Sequence, residues 1–316
     1  MYDQTPSGLI IPIPILQLPM QGLIRIPASA VNALHPSFTD EERKQLLTMQ
    51  YRNVTYQDAL VSGNAYVGMN GTIVMTTKRT EASFKGMVFE AYLARMCRDH
   101  KNTIGRKVFA WCTERQAGRI TETVLSQYTA FVTADKSLKN NASTAWLYNT
   151  ASPFDVQFYR INESGDAELA TLVSSGTTAG VQVKAIKGNE SSEIIHLMLQ
   201  NRYRHVLTLL KHASGEHSYD ICMRILAALQ QRGGITGDDY RSVASRLARP
   251  EQLGLDQYDI DQYSYYLSML HQNGGTMDHN VTEALTLEVT DNLVQSQGGV
   301  LVPAQQDLIL ANQQIH

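Results

Sequence analysis

Residues 181–187 read VQVKAIK, an alternation suited to an extended strand. Side chains on a strand point to opposite faces in turn. Val181, Val183 and Ala185 therefore share one face, and Gln182 and Lys184 share the other. One face can enter a core, while the other presents an amide and an ammonium side by side. Asp155, in SPFDVQFYR, is the carboxylate to read with them. A carboxylate, an amide oxygen and an ammonium brought together can hold a divalent cation and a water on one side of a phosphodiester.

The chain around this strand is long enough, at 316 residues, for one large domain or two ordinary ones. It is 43% hydrophobic and 18% charged, which excludes a disordered polar chain. A net charge of −3 gives no global basic signal, so a nucleic-acid surface has to be a local patch or come from a partner. The three cysteines, Cys97, Cys112 and Cys222, form no CxxC pair. They read as buried small hydrophobes in a reducing cytoplasm rather than a disulfide framework or a zinc site. The apolar run LIIPIPILQL at 9–18 contains two prolines and follows no basic residue. It is too short to span a bilayer and lacks the form of a signal peptide. An extended arm at a sheet edge, able to pack on a second subunit, suits it better.

Hydrophobic spacing predicts a helix over 37–50 and a β-like run at 71–75. A strong helix follows over 83–98, where Phe84, Val88, Tyr92 and Met96 recur at helical spacing. Further along, 107–112 reads as a strand, 117–132 as a helix and 145–148 as a short strand. Strands follow at 154–161, 168–173 and 181–186, and a long helix at 193–211. Helical stretches at 219–231, 238–248 and 259–271 come after. The expected fold is α/β, with a mixed sheet flanked by helices, an N-terminal extended arm and a C-terminal helical region. The expected divisions are 1–80, 81–214 and 215–316.

Within that order Glu90 sits on the first strong helix, Asp155 starts a strand, and Gln182 and Lys184 lie on a later one. This pattern resembles the PD-(D/E)xK nuclease superfamily, in particular the Mrr-like restriction endonucleases in which glutamine stands before xK. The likeness covers about residues 83–211 and implies a restriction-endonuclease-like core. It implies that Asp155 and Gln182 are ligands of Mg²⁺ or Mn²⁺, with the backbone carbonyl of Val183 completing the shell. Glu90 would bind a second metal or a metal-bound water, and Lys184 would orient the attacking water. The implied protein is a metal-dependent endonuclease acting on DNA ahead of RNA, in restriction or anti-phage defence. It would be cytoplasmic and without membrane attachment, with a partner protein that restrains or activates it, and a homodimer is the expected assembly.

Each residue taken alone has an ordinary reading. Lys184 and Lys187 could blunt an exposed edge, Asp155 could be a turn residue after Pro153, and Glu90 could be a solvated helix glutamate. A catalytically inactive nucleic-acid-binding or assembly subunit of the same fold, or an RNA-directed nuclease, fits the same residues. Arg202, Arg204, His205 and Lys211 on the expected 193–211 helix, with Lys187, form a second candidate surface facing phosphate. No GxSxG, Walker or GxGxxG pattern occurs, and the histidines at 196, 205, 212 and 217 form no HExxH.

Overall fold

The computed structural model of the protein describes residues 54–67 and 79–272, with the strand segments at 3–4, 10–11 and 73–75. The expected helix over 37–50 lies outside the described residues. The chain divides into two compact units, one of residues 1–60, 64–78 and 265–316, the other of 61–63 and 79–264. In the first, Asp3–Gln4 (β1) pairs antiparallel with Ile10–Ile11 (β2), and Ala65–Val67 (β3) with Ile73–Met75 (β4). A helix over 54–61 (α1) belongs to this unit up to Leu60.

The second unit begins with the long helix Glu81–Asp99 (α2). Thr80 caps it by accepting from the Ser83 N–H, and Glu81 in the first turn suits the positive end of the helix dipole. Phe84, Val88, Phe89 and Leu93 are fully buried on one stripe. Each contributes about 1.5–3 kcal/mol relative to exposure. A π-helical turn at Lys101–Gly105 leads into Arg106–Cys112 (α3). Glu122–Gln127 (α4), capped by Thr121, precedes Thr129–Val132 (β5).

β5 pairs antiparallel with Val156–Ile161 (β6), which pairs antiparallel with Ala167–Leu169 (β7). Gln182–Lys184 (β8) pairs parallel with Val206–Thr208 (β9), which pairs parallel with Leu247–Ala248 (β10). An antiparallel bridge between Val156 and Val181 links the two groups of strands. The parallel β8–β9 pair needs a crossover. It runs through the π-helical segment Ser191–Ile195, continuous with the short helix His196–Leu199 (α5). The helices Ser218–Gln231 (α6) and Gly237–Ser245 (α7) pack on this end. Ile194, Met198, Val206, Leu226, Val243 and Leu247 form its core. The unit therefore extends past residue 214, where an accessory region is expected, as far as Ser264 in the helix Gln257–Gln272 (α8). All three cysteines are free and buried.

The fold is mixed α/β, and several elements differ from the expectation. The segment 107–112 is helical because its buried residues follow helix spacing. Val108, Phe109 and Cys112 are buried while Lys107 and Trp111, four apart, turn outward. The expected helix over 117–132 breaks, and its last four residues form β5, three of them buried. The segment 145–148 forms a 3₁₀ turn rather than a strand. The expected helix over 193–211 ends at Leu199, where Asn201 adopts φ 55° and the Arg202 N–H returns to the Leu197 carbonyl. Such a left-handed residue closes a helix. Beyond it, Val206, Leu207, Leu209 and Leu210 are all buried, as in a strand covered on both faces.

Candidate active site

The candidate site forms where β6, β8 and α2 meet. Asp155 directly precedes β6 and is held by its backbone from two sides. Its N–H donates to the Val181 carbonyl at 2.9 Å, and its carbonyl accepts from the Thr133 N–H at 2.9 Å. This approach requires Gly180. A Cβ there would lie 2.6 Å from Phe154 Cγ and 2.9 Å from Gln157 Cγ. Only a glycine lets the chain entering β8 pass so near the chain entering β6.

The Asp155 side chain turns toward β8, where Oδ2 accepts from the Val183 N–H at 2.7 Å. The Gln182 side chain lies near enough to this carboxylate to favour its charged form. On β8 the peptide groups alternate. The Gln182 N–H donates to the His205 carbonyl at 2.8 Å and the Lys184 carbonyl accepts from the Leu209 N–H at 3.0 Å, both on the β9 side. Val183, between them, directs its peptide groups toward Asp155. Its N–H is used there, and its carbonyl faces the same side.

The side chains of β8 alternate as the sequence requires. Val181, Val183 and Ala185 are buried, while Gln182 and Lys184 are half-buried. Lys184 Nζ donates to the Tyr203 hydroxyl at 3.2 Å and stands 4.6 Å from the centre of that ring. Tyr203 thus holds the ammonium by a hydrogen bond and by the ring face. Nothing in the sequence marks Tyr203, which follows α5 in a turn and meets Lys184 only through the tertiary fold.

Glu90 lies on α2 beside the buried Phe89 and Ala91, at the edge of the apolar stripe. Burial pushes its carboxyl up to about 9, and the neighbouring Asp155 charge adds to the rise. Lys184 and Arg79 oppose it. Burial also pushes Asp155 up, against the Val183 N–H, Lys184 and Gln182, which favour its charged form. Each of the four predicted side chains therefore interacts with at least one other, although they come from three elements. Two half-buried carboxylates that resist ionising together are suited to a shared cation, which would offset both charges. The candidate oxygen donors are the carboxylates of Glu90 and Asp155, the Gln182 amide and the Val183 carbonyl. Mg²⁺ favours such hard donors and keeps waters in its remaining positions. No group of three or more His, Cys, Asp or Glu side chains is gathered for a metal among the described residues. The set here has two carboxylates and relies on amide and backbone oxygens for the rest.

The second expected surface is rearranged. With no helix over 200–211, Arg204 and His205 fall at the entry to β9, and Lys211 approaches Asp261 at 3.8 Å. Among the described residues no helix is long and apolar enough to cross a membrane. No family model matches the chain, no curated protein is significantly similar to it, and no solved structure matches it.

Proposed function

We propose that the protein is a metal-dependent nuclease with a restriction-endonuclease-like core of the PD-(D/E)xK type, hydrolysing phosphodiester bonds of DNA. The observation that carries the reading is the Asp155 carboxylate on the Val183 N–H, with Gln182, Lys184 and Glu90 around it. The element order supports it. The helix bearing the glutamate, α2, comes first, then α3 and α4, the strands β5, β6, β7 and β8, the crossover through α5 and the parallel strand β9. The resemblance adds a role in restriction or anti-phage defence and a restraining partner.

Asp155, Glu90, the Gln182 oxygen and the Val183 carbonyl would hold Mg²⁺ or Mn²⁺. When bound, that ion would lower the pKa of a coordinated water and neutralise charge on the phosphate. Gln182 can turn its oxygen inward by rotating its terminal amide, leaving the strand unmoved. Lys184, kept in place by Tyr203, would orient the attacking water and stabilise the added negative charge of the phosphorane. Without a cation, Glu90 with its raised pKa holds a proton near neutral pH, which it would release on binding the ion.

The test is cleavage of DNA and RNA by purified protein with Mg²⁺ or Mn²⁺, with and without chelator. Lys184→Ala and Asp155→Ala should each lower the rate by on the order of 10²–10⁴-fold. Their thermal midpoints should stay within about 2–4 °C of wild type, a shift of roughly 1 kcal/mol. Equal cleavage by wild type and both variants would remove the proposal. Metal-dependent binding without cleavage would favour the inactive nucleic-acid-binding reading instead.

A further inference from the structure

A second group of polar side chains lines an open cleft of about 540 Å³ between α3, the turn before β9 and the end of α7. That volume suits a small ligand. Three arginines, Arg115, Arg204 and Arg246, line it against one carboxylate, Glu114. In a chain of net charge −3, this is a local concentration of cations.

The carboxylate is already engaged. Arg204 donates to Glu114 Oε1 at 2.8 Å and reaches Ser174 Oγ at 3.4 Å. Ser174 donates to the other Glu114 oxygen. The Arg204 Nε–H is buried and makes no hydrogen bond. Arg246 spends Nε and one terminal nitrogen on Ser242, at 2.9 and 3.1 Å, and retains a second terminal nitrogen. Burial and the nearby Arg204 charge both work against the Arg246 cation. His205, only 2% exposed, also lines the cleft, and its Nδ1 has no partner. Buried polar atoms without partners are rare, and here two belong to adjacent residues of one cleft. Trp111 forms a wall, its ring edge-on to His205 at 5.0 Å and its N–H fixed on the Ser245 carbonyl at 3.2 Å.

We infer that this cleft binds the phosphate of a nucleotide, either free or within a nucleic-acid strand. Arg204 and Arg246 take the phosphate oxygens, His205 supplies a further hydrogen bond, and Trp111 lies beside the base. Arg115 is engaged by the Thr171 carbonyl and the Phe109 ring, which leaves Arg204 and Arg246 to offer an anion their planar forks, a match for phosphate. An aromatic ring beside them accepts a base face. The cleft adjoins β8, because the His205 carbonyl accepts the Gln182 N–H. The inference concerns binding alone and stands whether or not the Lys184 centre cleaves.

Its test is therefore run in chelator. Tryptophan fluorescence and titration calorimetry follow binding of adenosine, adenosine 5′-monophosphate and a short single-stranded oligodeoxynucleotide at several salt concentrations. The variants are Arg246→Gln and the double substitution Arg204→Gln with Glu114→Gln, which leaves no orphaned charge. Each should weaken the phosphate-bearing ligands about tenfold or more and reduce the salt dependence. Arg246→Lys, which keeps the charge and loses the fork, should show an intermediate loss and stands in if Arg246→Gln does not fold. Arginine-dependent binding of the monophosphate would mark a free nucleotide as ligand. Arginine-dependent binding of the oligonucleotide alone would mark a strand. The inference is overturned if neither binds, if adenosine binds as tightly as its monophosphate, or if binding is unchanged in the folded variants.

Discussion

At the scale of single residues, the half-buried carboxylates of the site set the pH behaviour. Burial raises Glu90 from an ordinary 4.5 to about 9. Between those values the folded state binds more protons than the unfolded one, so metal-free stability falls as pH rises. Asp155 is raised too and acts in the same sense at lower pH. His205 acts in the opposite sense. Burial lowers it from 6.5 to about 4, so it favours the fold as pH rises through that interval. The arm above about pH 6.5 is therefore left mainly to Glu90. Glu90→Gln should flatten that arm and raise the metal-free thermal midpoint at about pH 8. Melts of wild type and variant in chelator across pH check this, and an unchanged slope would mean that Glu90 is solvated.

At the scale of elements, the site depends on how closely the chain entering β8 passes the chain entering β6. A Cβ at residue 180 would meet Phe154 at 2.6 Å and Gln157 at 2.9 Å. Phe154 precedes Asp155, and Gln157 is buried within β6 with its amide on the Ala179 carbonyl at 3.3 Å. Gly180→Ala must therefore push these segments apart. Overpacking of this kind costs about 1–3 kcal/mol. The displacement should also separate Asp155 from Val183 and, on the proposed function, lower cleavage by more than the loss of folded protein explains. Thermal melts and rates measured well below the midpoint distinguish the two effects. A variant with wild-type rate and stability would show that the approach is not a constraint.

At the scale of the whole molecule, cation binding and folding are linked. An ion that binds only the folded state stabilises it by about 2.7 kcal/mol at a hundred times its Kd. Protons compete with the ion for Glu90 and Asp155, so the gain should increase with pH. The rise in midpoint on adding Mg²⁺ should be larger at about pH 8.5 than at about pH 6, and should be lost in Asp155→Ala. Calorimetric scans with and without chelator measure it. No shift at either pH would argue against a cation at this centre.

The sequence alone determined the elements whose burial is one-sided. Helix α2 is legible because Phe84, Val88 and Tyr92 repeat at its period, and β8 because VQVK alternates. In both, the buried and exposed faces are written in the residue order. It also marked Glu90, Asp155, Gln182 and Lys184, through residue chemistry and order rather than distance. Tertiary structure decided the rest. Val206, Leu207, Leu209 and Leu210 are covered from both sides, so their run carries no period, and β9 could not be told from a continuing helix. The residues of β5 follow α4 so closely that the apolar spacing runs through both. The Asp155–Val183 hydrogen bond, the Tyr203 contact with Lys184 and the need for glycine at 180 arise between segments distant in sequence. A one-dimensional pattern records which face a residue turns to the core, but not which other segment it meets there.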